Sequence, residues 1–236
     1  MESNTRKASG SPAAEASSLL AWTLRRFPRQ RVVATTGFGL EGCVLVDLLS
    51  RLRVPPRVVY LDTHFLFPET YALRDRLAER YPRVRLTDAG TRLTAVEQET
   101  AFGPALWSRD PDACCRLRKV EPLRAALRGV DVWITGLRRE QSAERAGIRA
   151  VEWDAQYEVV KVNPLAGWTR SEVWQHVRAN DVPFNPLHLD GYPSIGCTHC
   201  TRRVAGLAPD EYSRAGRWAG TGKTECGLHR APEART

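Results

Sequence analysis

Apolar and polar positions follow two alternating rhythms along the chain. Short β-branched runs recur at RVVATT (31–36), RVVYLD (57–62), VRLTD (84–88), DVWITG (131–136) and YEVVKV (157–162), each of strand length and strand composition. Between them lie stretches with helical spacing of apolar side chains, near 13–26, 40–52, 68–80 and 113–128. The third opens on Pro68 and Glu69, as the first turn of a helix does. Strands alternating with helices predict an α/β fold, an open and mostly parallel sheet flanked by helices. After Val162 the rhythm stops, leaving one more helix near 171–179 and a long tail rich in Gly, Pro, Arg and Cys. Residues 1–12 (MESNTRKASGSP) are small, polar and unpatterned, and read as a disordered leader. The chain thus divides into a leader (1–12), an α/β domain (13–200) and a C-terminal tail (201–236). Ligands of such a sheet bind beyond the carboxyl ends of the strands, so loops 36–42, 62–67 and 136–146 are expected to share a crevice.

Composition narrows the class. With 236 residues, 42% hydrophobic and 26% charged, the chain can build a core as one domain without staples. An excess of 35 Lys and Arg over 27 Asp and Glu, net +8, favours an anionic partner, either nucleic acid or a small sulfated or phosphorylated molecule. No apolar run approaches the roughly 20 residues of a membrane span, and the N-terminus lacks the apolar core of a secretory signal. A soluble, cytoplasmic protein is expected, and its six cysteines, at 43, 114, 115, 197, 200 and 226, are expected to be thiols rather than a disulfide framework.

The first crevice loop, TTGFGLEG (35–42), joins a strand to a helix, the place where free N–H groups receive an anion. Gly37, Gly39 and Gly42 allow close backbone approach, and Thr35 and Thr36 offer hydroxyls. It is neither a Walker loop nor a dinucleotide fingerprint, and a plain glycine-rich turn is an equal reading of this segment alone. Thr35, Gly37, Phe38, Gly39 and Glu41 are its candidate nucleotide contacts. Leu61 and Asp62 join them from LDTHFLFPET (61–70), where His64 reads as a loop histidine without further role. GLRREQSAER (136–145) brings Arg138, Arg139 and Arg145 with Gln141 and Ser142 to the same edge. Three guanidiniums suit a doubly charged anion.

Cys114 and Cys115 are adjacent, and Cys197 and Cys200 form GCTHC. Two pairs supply the four thiolates of a tetrahedral metal site or an iron–sulfur cluster. Adjacent residues rarely aim both sulfurs at one small ion, whereas separate iron corners can accept them, so a 4Fe-4S cluster is preferred to zinc. CCRLRKV adds Arg116, Arg118 and Lys119 beside it. Cys43, within GCVLVDLL, reads as core packing. Cys226 stands apart in GKTECGLHR (222–230), where Lys223, His229 and Arg230 form the cationic neighbourhood that favours a thiolate nucleophile. Arg202, Arg203, Arg214, Arg217 and Lys223 make the tail a candidate basic lid that carries Cys226 to the substrate.

Taken together, TTGFGLEG, LDTHFLFPETY, CCRLRKVEPL, GLRREQSAER, KVNPLAGWT, VPFNPLHLDGYPSIGCTHCTR, RAGRW and ECGLH resemble the assimilatory sulfonucleotide reductases, and within them the iron–sulfur adenylyl-sulfate (APS) reductases, from about Thr35 to His229. The resemblance implies an adenine nucleotide α-hydrolase-like, Rossmann-like fold. It implies cluster ligation by Cys114, Cys115, Cys197 and Cys200, with the cluster structural and electrostatic rather than an electron carrier. It also implies that Cys226 attacks the sulfur of APS, releases AMP and becomes an S-sulfocysteine, from which thioredoxin or a similar dithiol frees sulfite for cysteine biosynthesis. Lys119 falls where the family bridges cluster and substrate; Arg214, Arg217 and His229 fall on its phosphosulfate contacts, with Arg138 and Arg139 also in the anion site. The paired cysteines mark the branch that uses APS rather than 3'-phosphoadenylyl sulfate (PAPS). Two departures are TTGFG, where many relatives carry a serine, and His64, where glycine is common. A PAPS reductase, a zinc-bearing adenylating enzyme and a zinc-stabilised nucleic-acid-binding module are the alternatives. The preferred reading needs no DNA, RNA or membrane partner and leaves a homo-oligomer open.

Overall fold

The computed structural model describes residues 10–208 and 211–229. Most of the leader therefore lies outside the described residues, and its last residue, Pro12, already opens the first helix, with Ser11 as N-cap. The elements run α1 (Pro12–Arg26), β1 (Val32–Thr35), α2 (Leu40–Ser50), β2 (Arg57–Tyr60), α3 (Pro68–Arg80), β3 (Leu86–Asp88), α4 (Ala95–Phe102), α5 (Leu106–Arg109), α6 (Pro111–Cys115), α7 (Glu121–Ala126), β4 (Val132–Ile134), β5 (Val151–Asp154), β6 (Val159–Val162) and α8 (Arg170–Ala179). No described helix is long and apolar enough to cross a membrane.

The six strands form one sheet in the order β3-β2-β1-β4-β6-β5. All neighbours pair in parallel except β5, which runs antiparallel to β6 with Trp153 opposite Val160. Both faces of the central strands are covered, which is why they read as unbroken apolar runs rather than as alternating ones. Val32, Ala34, Val58, Val132 and Ile134 pack towards the α1, α2, α3 and α8 side. Val33, Val59 and Trp133 face the other way, onto Leu123 of α7 and Leu127 beyond it.

The predicted helix over 113–128 is three pieces: α6, a π-helical turn over Arg116–Val120, and α7. Pro122 stands where the π-helical turn gives way to α7 and brings no N–H to the continuous helical run. Two helices fell inside a stretch predicted as connection, α4 and the single-turn α5. A capping box between Thr94 and Glu97 starts α4.

Behind the sheet, α2 and α8 are tied by a buried polar knot. Asp47 accepts from Arg51 (2.8 Å) and Tyr81 (3.2 Å) and lies 2.8 Å from His176 Nε2. Burial alone would raise the Asp47 carboxyl, but the hydrogen bond from His176, the Arg51 charge and the Tyr81 hydroxyl outweigh it and hold it below the usual range. A depressed folded-state value gives stability that is complete above the unfolded carboxylate value near 3.9 and is lost as pH falls below it. Asp47→Asn should therefore cost about 1–3 kcal/mol at pH 7, as for a hydrogen bond to a buried charge, and flatten the acid limb. Urea melts between pH 3 and 7 read both effects.

Candidate functional site

The sheet reverses its winding between β1 and β4, and the loops after these strands diverge to open a crevice. Its walls come from the three loops expected to meet: Thr35, Thr36, Gly37, Gly39 and Glu41 after β1, Leu61 and Thr63 after β2, and Thr135, Gly136, Gln141 and Arg145 after β4. The glycines act differently. A Cβ on Gly42 would lie 2.5 Å from Thr36 Oγ1, and one on Gly136 would press the Glu41 backbone at 3.2 Å, so both let segments pack closely. A Cβ on Gly37 would meet nothing, because this residue faces the open crevice.

The tail closes the opposite side. Tyr212, Arg214, Arg217, Trp218, Cys226 and His229 all line the crevice. The segment is seated by a bridge between Thr201 and Arg217 and by Arg202 N–H donating to Gly216 O (2.8 Å). Arg217 lies across Gly196, where a Cβ would stand 2.3 Å from its Nη2. Its Nε donates to Cys200 O (3.2 Å) and its Nη1 to Ser194 Oγ (3.3 Å). His229 stacks on Trp133 with centroids 5.0 Å apart, and Trp133 in turn donates to Thr35 Oγ1 (2.8 Å). Burial, then the charges of Lys161, Arg145 and Arg214, hold the His229 imidazole well below its usual value, which disfavours the cation expected from the sequence. Arg230, named with it from the sequence, lies outside the described residues.

Several predicted contacts occupy other places. Phe38 adopts φ 58° and is 2% exposed, packed in the core against Tyr60. Asp62 accepts from His64 N–H (2.7 Å) and Tyr71 (2.8 Å), which shapes its own turn. His64 sits at φ 57°, the left-handed region that favours glycine, and its Nε2 lies 3.0 Å from Thr91 O. Arg138 is fully buried behind the crevice wall. Its Nη2 lies 2.8 Å from Glu41 and its Nη1 donates to Trp168 O. Burial alone would raise the Glu41 carboxyl, but Arg138 and then Arg170 hold it low, so the wall carries a fixed, neutralised carboxylate. Arg139 is exposed and donates to Ile148 O (2.9 Å), and Ser142 is half-buried outside the crevice lining. Of the three guanidiniums in that loop, Arg145 is the one that lines the crevice. Tyr212, Trp133, Thr135 and Ser194 also line it and were not predicted. They carry no motif-like spacing, and only the strand ends of Trp133 and Thr135 could have pointed to them.

The four paired cysteines share a second, smaller pocket with Phe65, Trp107, Arg118, Lys119 and His199. Asp110 caps α6, accepting from Ala113 N–H (2.9 Å), and Cys114 and Cys115 are the last two residues of this short helix. Thr63 Oγ1 lies 3.3 Å from Cys197 Sγ, and Leu66 bridges Cys197. Trp107 stacks on His199 at 3.9 Å, with Phe65 edge-on to both, so aromatic rings shield the thiols. Arg118 is spent on structure, donating to Gln98, Thr63 O, Leu93 O and Thr94 O, and Arg116 is exposed and paired with Glu121. Lys119 lines both pockets and links them. Cys226 packs against the thiol group from the crevice side. Cys43 is fully buried in the core, its thiol pushed far up by burial.

A glycine-rich loop at a sheet switch point, a basic wall and a half-buried thiol thus meet in one crevice of an α/β fold. Residues 31–203 match the family model described as the phosphoadenosine phosphosulfate reductase domain. A protein of Anoxybacillus flavithermus named adenosine 5'-phosphosulfate reductase is 46% identical over 211 residues, 89% of this chain and 88% of its own length. One of Gloeobacter violaceus named phosphoadenosine 5'-phosphosulfate reductase is 45% identical over 214 residues, 90% of this chain and 87% of its own. The crystal structure of a phosphoadenylyl-sulfate reductase from Candida auris, a phosphate complex, superposes with a TM-score of 0.70 at 31% identity, covering 80% of this chain and 90% of that one. The chain belongs to this family, the sulfonucleotide reductases, and is an oxidoreductase acting on sulfur.

Proposed function

We propose that the protein reduces APS to sulfite and AMP, with Cys226 as the nucleophile and a dithiol such as thioredoxin as the electron donor. The observation that carries this reading is the position of Cys226, half-buried in the crevice among Lys119, Arg214, Arg217 and His229. Thiolate attack on the sulfonate sulfur forms an S–S bond and breaks the bond from that sulfur to the bridging oxygen, whose electron pair leaves with AMP. Lys119, Arg214 and Arg217 offset charge on the phosphate and sulfonate oxygens as this happens. One thiol of the donor then attacks the Cys226 sulfur and releases sulfite, and its second thiol resolves the mixed disulfide. The dithiol loses two electrons and the sulfonate sulfur gains them. A reducing cytoplasm supplies such a donor.

The four remaining paired thiols fit a 4Fe-4S cluster. They share one pocket shielded by Phe65, Trp107 and His199. Two of them, Cys114 and Cys115, are chain neighbours, which suits the separate irons of a cluster better than one tetrahedral zinc. Cys114, Cys115, Cys197 and Cys200 would hold it. When bound it would tie α6 to the 197–200 turn and set a fixed field behind Lys119, while the electrons come from the dithiol.

APS is preferred to PAPS because both cysteine pairs are present, the mark of the APS branch that this sequence resembles. Steady-state turnover with each nucleotide tests the choice. The expected result is a kcat/KM at least tenfold higher for APS; a preference for the 3'-phosphorylated substrate would reverse the assignment.

A further inference from the structure

Two cations of the crevice wall are engaged by the tail itself. Glu225, the residue before Cys226, pairs with Arg145: Nη2 donates to Oε2 at 2.9 Å, and Nε stands 2.9 Å from Oε1 as a charge contact without hydrogen-bond alignment. Arg214 adds Nη2 to the same Oε2 (3.1 Å) and holds the Thr224 carbonyl from Nη2 (2.9 Å) and Nε (3.3 Å). The Arg145 and Glu225 side chains are 9% and 10% exposed, so solvent screens this charge-assisted pair little. On the far side of Cys226, Gln156 Nε2 donates to the Gly227 carbonyl (3.0 Å). Gln156 belongs to the turn between β5 and β6, where Asp154 accepts from the N–H groups of Gln156 (3.1 Å) and Tyr157 (3.2 Å) and from Lys161 Nζ (3.0 Å). The backbone is thus held at 224 and 227 and the side chain at 225, and the residue these contacts bracket is the nucleophile.

We infer that Glu225 is a latch: its ion pair with Arg145 docks the tail on the loop after β4 and sets the Cys226 sulfur in register with the crevice. The inference rests on Cys226 being the nucleophile. A terminal segment left to itself frays, and a reacting sulfur on a loose segment forfeits the rate that fixed orientation supplies. Glu225 touches no reacting atom, so it is a positioning residue. The reaction also needs the grip to be breakable. The sulfonated thiol must become reachable by an external dithiol, and Cys226 is half-buried when latched. The grip combines this ion pair and a few hydrogen bonds with the stack of His229 on Trp133, contacts that can open without unfolding the core.

The test is the alkylation of Cys226 by iodoacetamide in the full-length, substrate-free protein, followed by mass spectrometry of the peptide that contains it. Glu225→Gln should alkylate at least tenfold faster than the unsubstituted protein, and its single-turnover transfer of the sulfonate should fall by a similar or larger factor, with a smaller change in KM. Glu225→Asp should lie between the two. The exchanged pair, Glu225→Arg with Arg145→Glu, should regain slow alkylation even where turnover stays low, and it serves if the single variant folds poorly. Alkylation of Glu225→Gln at the original rate would overturn the latch, as would a rate loss without any change in alkylation. Alkylation needs no substrate, so failure of the APS reaction would leave this outcome readable on its own.

Discussion

Cys226→Ser should release no sulfite and no AMP from APS, a loss on the order of 10⁴-fold or more, as for other covalent nucleophiles replaced by a weaker one. The hydroxyl has nearly the size of the thiol, and Cys226 lies at the crevice wall rather than in the main core, so the variant should fold and melt like the original. Its four paired thiols are untouched, and the visible absorbance and iron content should be unchanged. Loss of turnover with retained iron separates the nucleophile from the ligand set. Retained turnover would remove the mechanism, whatever the state of the cluster.

The second large effect belongs to the opposite pocket. Cys114→Ser or Cys197→Ser should yield protein with little iron and acid-labile sulfide, and turnover should fall by two orders of magnitude or more. The wall between the pockets explains why one lesion reaches both. Lys119 borders thiols and crevice together, and Arg217 is anchored on the Cys200 carbonyl. Relaxing the 197–200 turn should therefore move two cations of the anion site. A colourless, fully active preparation containing one zinc per chain would contradict the cluster and favour the zinc alternative.

Much of this arrangement was legible in the sequence because it rests on local pattern. The central strands are buried on both faces, so their apolar runs stood out, and the crevice loops followed from where those runs end. The cysteine pairs announced a shared pocket by spacing alone. Where the pattern was silent, long-range contacts decided. The strand β5 is an exposed edge, with Trp153 61% exposed, and its VEWD pattern carries no apolar run. In GLRREQSAER, neighbouring residues project in different directions, so composition could not tell that Arg138 turns inward to Glu41, Arg139 outward, and Arg145 to the crevice. The Arg145–Glu225 pair joins positions eighty residues apart, and nothing local to either residue specifies it. The tail is basic, yet the residue through which it pairs with Arg145 is acidic.

In this mechanism the first half-reaction needs only the protein and APS. The decisive experiment mixes the iron-loaded protein with excess APS in the absence of any dithiol. The expected result is a single burst of one AMP per chain, no free sulfite, and one SO₃ group on the peptide containing Cys226, with sulfite appearing only when a dithiol is added. AMP release without an adduct on Cys226, or no burst until the dithiol is present, would contradict it.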